Sequence, residues 1–300
     1  MIKLLTEKIG GAVLLATAIL TGFGLIIDDG SITMITKLAL LLAEGLLLNY
    51  LCFRFGILGI NTNLPLVLFC TLTALLIPQL GMGDIIYGAV FLGALFLALE
   101  SREYPRLSSS YMIYFGVFLG IAQAFSNISL LMMLPVFILF AQAGTRKPRH
   151  FILSFTYFAM VIISISGLLF VMELDYMIWE LIPSLSLDYS VFNSIVIKLT
   201  VPFILICLAI HFLSLNSYRF RYPNQSIILN YTMLLQLVFS VLLVIITAEL
   251  DILMYTIMAA SILLSFIFRY KQDSTFINSA FVSLISICMM SLYLYKILIL

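Results

Sequence analysis

The stretch LALLLAEGLLLNY, residues 38–50, is a run of aliphatic residues interrupted by one carboxylate, Glu44. A charge at bilayer depth costs roughly 2.5–3.5 kcal/mol even on an insertion scale. Glu44 therefore calls for a cationic partner, a proton, a water-filled cavity or a function. The apolar run around it extends over residues 35–53. That is close to the ~20 residues that carry a helix across a hydrocarbon core about 30 Å thick.

The rest of the chain repeats this pattern. It is 63% hydrophobic and 10% charged, with a mean hydropathy of +1.20. Soluble domains carry about 25% charged residues. The composition sets the fold class as all-α, a polytopic transmembrane helical bundle. A transmembrane barrel is excluded because its strands alternate over segments of about ten residues, whereas these runs are continuous. Eleven spans are expected, within a range of 9–12: about 10–27, 35–53, 64–80, 85–99, 111–126, 128–143, 151–172, 190–213, 227–248, 252–268 and 276–298. Those at 64–80, 85–99 and 111–126 are short enough to be tilted, half-length or buried in the bundle. No stretch between runs is long enough for a soluble domain, so residues 1–300 read as a single integral-membrane domain. The first apolar run lacks a small-residue cleavage site before the acids that follow it, and reads as an uncleaved span.

Charge placement gives the orientation. With the N-terminus in the cytoplasm, the inner loops hold twelve of the fifteen basic residues, including Arg54, Arg102, Arg106, Arg146, Arg149, Arg219, Arg221 and Arg269. The outer loops hold nine acids, among them Asp28, Asp29, Asp84, Glu173 and Asp175. This obeys the positive-inside rule at each cytoplasmic loop and places the C-terminus outside. Residues 172–189, with Tyr176, Trp179 and Tyr189, suit either an aromatic interfacial turn or a short outer helix.

Polar residues inside the spans are the functional candidates. Lys198 lies at about the same depth as Glu44, which makes it the expected cationic partner. Gln236 is the third member of that intramembrane cluster, and Pro202 frees a backbone carbonyl near Lys198. The contact reads either as a register pin between helices or as the floor of a working cavity. Asp28 and Asp29, at the outer exit of the first span, read either as interfacial markers or as a general base or divalent-cation ligand. Lys37, Gln123 and Asn127 are candidates for lining an outward cavity. Gly116 and Gly120 form a GxxxG face, whose ordinary meaning is close helix packing.

Other chemistries lack their residues. Cys52, Cys70, Cys207 and Cys288 are scattered singly, and His150 and His211 have no ligand spacing around them, so no His or Cys metal site is expected. No phosphate loop, dinucleotide fingerprint or nucleophile elbow occurs. The cytoplasmic arginines are explained by topology and acidic lipid headgroups, so nucleic acid is not an expected partner.

The order of parts is suggestive. An acidic pair follows the first span. The second span ends in Arg54-Phe55-Gly56, followed by NTNLPLVLFCTLTALLIP with Pro65 and Pro78. Then comes GVFLGIAQAFSNISLLMMLPVFILFAQAGTRKPRHF, residues 116–151. This succession, over roughly residues 1–170, resembles the membrane module of GT-C-type glycosyltransferases. The whole chain also resembles a family of bacterial multi-pass inner-membrane proteins of about this length with no assigned activity.

The first resemblance implies residues 1–150 as GT-C-like N-terminal helices and 151–300 as C-terminal helices. It further implies an envelope-biogenesis protein that handles polyprenyl-linked sugars at the outer leaflet of the bacterial inner membrane. Asp28 or Asp29 then stands where such enzymes carry the acid that activates the acceptor. The positive charge a transferase needs at its leaving phosphate has only Lys37, Lys198 or Lys296 to supply it outside. The first outer loop, about ten residues long, is shorter than in that family. Two other classes stay open: a non-enzymatic subunit or scaffold of an envelope complex, and a secondary transporter using Glu44 and Lys198. The expected partners are membrane lipids, a polyprenyl-linked sugar and other membrane subunits. No cofactor is expected beyond a divalent cation at Asp28/Asp29.

Overall fold

The computed structural model describes residues 2, 8–27, 32–58, 61–74, 76–77, 80–104, 108–124, 148–174, 202, 205, 209, 224–247, 252–270, 275 and 277–287. Among them every regular element is helical and no strand occurs. In chain order these are α1 (Ile9–Ile27), α2 (Ile32–Arg54), α3 (Leu64–Ala74), α4 (Met82–Glu103), α5 (Ser108–Gln123), α6 (Pro148–Val171), α7 (Asn224–Thr247) and α8 (Ile252–Tyr270). A shorter apolar helix, α9 (Ile277–Ile287), follows. Among the described residues, four segments are long and apolar enough to cross a membrane: Ile32–Arg54, Met82–Ser101, Pro148–Val171 and Ile252–Arg269. The expected spans 128–143 and 190–213 lie outside the described residues, wholly and almost wholly respectively. The aromatic outer segment beyond Leu174 also lies outside them.

The three short spans resolve differently. α4 runs over 22 residues, from Met82 to Glu103, because Met82, Gly83 and Asp84 at one end and Glu100, Ser101, Arg102 and Glu103 at the other extend the expected 85–99 run as helix. α5 has 16 residues. α3 has only 11, all of them buried. At 1.5 Å per residue it is about 16 Å long, roughly half a hydrocarbon core. Its hydroxyls turn back onto its own carbonyls, Thr71 Oγ1 donating to Val67 O at 2.7 Å and Thr73 Oγ1 to Phe69 O at 2.8 Å. That leaves no unsatisfied hydroxyl in an apolar interior.

By contacts the chain forms two compact units, one of Met1–Leu80, Tyr189–Leu237 and Met254–Leu300, the other of Gly81–Asp188 and Val238–Leu253. In the first unit, α3 packs against both α1 and α2, which also touch each other. The buried side of α2 carries Met34, Leu41, Glu44, Gly45, Leu48, Asn49, Leu51 and Cys52, a three-to-four-residue spacing that defines one helix face. Gly45 sets the approach to α3, since a Cβ there would sit 2.9 Å from Leu66 Cδ1 and 3.1 Å from Phe69 Cδ1.

The Arg-Phe-Gly turn ends α2 for a stated reason. Gly56 adopts φ 59°, Ile57 N–H donates to Cys52 O at 3.1 Å and Gly56 N–H to Phe53 O at 3.3 Å. Together these make a Schellman cap with glycine in the left-handed position. Asn230 Nδ2 on α7 donates to Ile57 O at 3.3 Å and ties that helix to the same turn.

In the second unit, α5 packs against both α4 and α6. The GxxxG face of α5 meets the α6 backbone. A Cβ on Gly116 would overlap the Ser154 carbonyl oxygen, and one on Gly120 would sit 2.7 Å from Val161 Cβ. Near the start of both helices, Ser109 Oγ and His150 Nε2 are hydrogen-bonded at 3.2 Å, with His150 buried. α6 ends in a second Schellman cap, where Leu174 N–H donates to Leu169 O at 2.9 Å and Glu173 N–H to Phe170 O at 3.1 Å. Here the left-handed residue is Glu173, at φ 58°.

Similar hydropathy hides opposite surroundings. The membrane-length stretches of α6 and α8 have mean hydropathies of 2.1 and 1.9, yet 11% of the first and 94% of the second is buried. α8 is thus enclosed by protein, and its Ser261 and Ser265 hydroxyls close onto Met258 O at 2.8 Å and Ser261 O at 2.6 Å. α6 presents apolar side chains such as Ile163, Leu168 and Phe170 outward.

Candidate functional site

Glu44 is 3% exposed and both of its carboxylate oxygens are buried. It shares its helix face with Gly45, the residue that lets α2 and α3 approach. Burial therefore places the carboxylate in the packed side of α2. Gln236, on α7 in the same unit, is also 3% exposed. Lys198 lies outside the described residues, and with it the expected Glu44–Lys198 pair.

Asp28, Asp29 and Asn127 lie outside the described residues as well. The two acids belong to the short link 28–31 that joins α1 to α2. Lys37 stands five residues into α2 from Ile32, about 8 Å along the axis. Its Nζ donates to Leu80 O at 2.7 Å. An ammonium has three donors, so this bond fixes the cation without exhausting it. Gln123, the last residue of α5, is 3% exposed in the other unit.

Asp84 finds a local role. Its Oδ2 accepts a hydrogen bond from Gly81 N–H at 2.6 Å at the start of α4, where a negative charge also complements the helix dipole. Among the described residues no cluster of three or more His, Cys, Asp or Glu side chains could hold a metal ion. Cys52 and Cys70 are free, buried thiols.

One feature was not singled out from the sequence. A cleft of about 450 Å³ opens at the Arg54 end of α2, within the first unit. Its polar lining is Asn49, Asn61, Thr62 and Asn63; its apolar lining is Ile9, Leu46, Tyr50 and Phe53. Asn49 Nδ2 donates to Asn63 Oδ1 at 3.1 Å, and Thr62 Oγ1 accepts from Leu64 N–H at 3.3 Å, capping α3. None of the eight lining residues is charged. The available signal was the Asn61-Thr62-Asn63 run at the foot of an apolar helix, which reads equally well as an ordinary turn and cap.

Compared with protein-family models, curated proteins and solved structures, the chain matches none of them.

Proposed function

We propose that the protein is an eleven-span, N-in and C-out component of the bacterial inner membrane that serves cell-envelope biogenesis by handling lipid-linked sugars at the outer leaflet. The observation that carries this reading is Lys37. It lies on α2, eight residues after Asp29 in the sequence, with its ammonium held by Leu80 O at 2.7 Å. A phosphate-linked carrier needs a cation beside an acid, and a lysine ammonium serves phosphate as a point charge.

The chemistry follows the GT-C resemblance. Asp28 or Asp29 accepts the proton of an acceptor hydroxyl, and that oxygen bonds to the anomeric carbon. The bond from that carbon to the carrier phosphate breaks, and polyprenyl phosphate leaves with its charge opposite Lys37. A divalent cation at Asp28/Asp29 would supply further charge stabilisation.

A second reading, the non-enzymatic subunit or scaffold, is favoured by Glu44 and Gly45, which lie buried on the face that packs against α3. A transporter using Glu44, Lys198 and Gln236 is the third.

Retention of radiolabelled polyprenyl-phosphate glucose by the full-length protein in nanodiscs tests the proposal. The lipid-linked-sugar reading expects binding that weakens about tenfold in Lys37→Gln, the equivalent of ~1.4 kcal/mol. Absence of binding, or equal retention by the variant, overturns it in favour of the scaffold.

A further inference from the structure

We infer that the cleft at the Arg54 end of α2 binds the uncharged, hydroxyl-bearing headgroup of a membrane lipid, a glycosyl or glyceryl group whose chain lies along α2. This site is separate from the Asp28/Asp29 end, because Lys37 and Arg54 are about 25 Å apart along the helix at 1.5 Å per residue. It requires only that α2 spans the membrane, and stands whether or not the transferase reading does.

The lining chemistry selects the headgroup. Asn49, Asn61, Thr62 and Asn63 offer amide and hydroxyl groups that both donate and accept, which matches hydroxyls. Among the described residues the lining of the cleft has no cation to meet the charge of a phosphate headgroup. Asn49 sharpens the match. It is 5% exposed, its Nδ2 is committed to Asn63 Oδ1, and its buried Oδ1 accepts no hydrogen bond. The Asn49–Asn63 bond holds the Asn63 side chain at the cleft wall. The volume of about 450 Å³ is in the range of small-molecule sites, about 300–1,000 Å³.

The surface beside the cleft selects the source. Leu46, Tyr50 and Phe53 are 37%, 50% and 58% exposed, at i, i+4 and i+7 on α2. They form an apolar stripe about 10 Å long that runs from the cleft toward the middle of the span. Tyr50 and Phe53 sit in the last two turns of that span, where aromatic side chains mark the membrane interface. A free sugar makes no use of this stripe, whereas the first methylenes of a lipid chain lie along it.

The test uses the full-length protein in nanodiscs, with native mass spectrometry to read lipid retention. The probes are dioleoyl glucosyl-diacylglycerol, dioleoyl-phosphatidylglycerol and soluble methyl glucoside. Retention of the glucosyl lipid should exceed that of phosphatidylglycerol about tenfold at equal mole fraction. Asn49→Leu and Asn61→Ala should each reduce it about fivefold, near the loss of one hydrogen bond. Asn61 lies in an exposed loop, so its variant decides the matter should Asn49→Leu fail to fold. Equal retention of phosphatidylglycerol, or unchanged retention in Asn61→Ala, overturns the site. Methyl glucoside binding as tightly as the lipid overturns the lipid source.

Discussion

Gly116 of α5 rests directly against the backbone of α6 at Ser154, so closely that a Cβ would overlap the Ser154 carbonyl oxygen. Lipid tails are as apolar as leucine, so helices in a bilayer gain from close backbone approach rather than from hydrophobic burial. Gly116→Ala is therefore expected to destabilise by about 1–3 kcal/mol, the range for overpacking a tight contact, and Gly120→Ala similarly. Gly167→Ala on α6, where no atom lies within 4 Å of the added carbon, is the control, expected to be neutral or to stabilise by up to ~1 kcal/mol. Thermal unfolding of the three variants in detergent reads the contrast.

The two Schellman caps make a matched pair. Gly56 takes the left-handed position without strain, while Glu173 takes it at φ 58° with a side chain, a conformation disfavoured by roughly 1–2 kcal/mol. Glu173→Gly is expected to raise stability by up to about 1 kcal/mol, and Gly56→Ala to lower it by a similar amount. Opposite shifts in melting temperature check this; shifts of the same sign contradict it.

Much of the layout of the described helices was legible because hydropathy reports it directly. Glu44 announced a buried polar position, Gly56 the end of α2, and Gly116 with Gly120 a tight packing face. What surrounds each helix was not legible, because an apolar side chain suits lipid and protein interior equally. α6 and α8 read alike and differ almost completely in burial. The half-length, fully buried α3 was one of three short runs, and nothing in its residues distinguished it from α5. The cleft escaped notice because Asn61, Thr62 and Asn63 come together with Asn49 and Ile9 only through the packing of α1, α2 and α3. Of the polar cluster built around Glu44, only Glu44 and Gln236 lie among the described residues.

Glu44→Gln separates packing from proton transfer. The glutamine preserves shape and hydrogen-bonding capacity beside Gly45 but carries no titrating proton. Stability within about 1 kcal/mol and full rescue of a deletion strain are expected if Glu44 fixes the α2–α3 register. Intact folding with lost rescue would instead support the transporter that uses Glu44 and Lys198.

Topology is testable with single cysteines. Cys52 and Cys70 are buried, which limits background at those two thiols; Cys207 and Cys288 are replaced by serine. Ser31→Cys should react with a membrane-impermeant maleimide from the periplasmic side. Ser110→Cys, in the basic segment that precedes the body of α5, should react only after the membrane is opened. The reverse pattern contradicts the N-in assignment and moves Asp28 and Asp29 to the cytoplasmic face.

Under the proposed function, the Asp28/Asp29 link and Lys37 work together on a lipid-linked sugar. Complementation of a deletion strain by the Asp28→Asn/Asp29→Asn double variant tests it most directly, with membrane abundance matched to wild type by immunoblot. The double variant is expected to reach the membrane and fail to restore the phenotype that the wild-type gene restores. Full rescue by the double variant would contradict it.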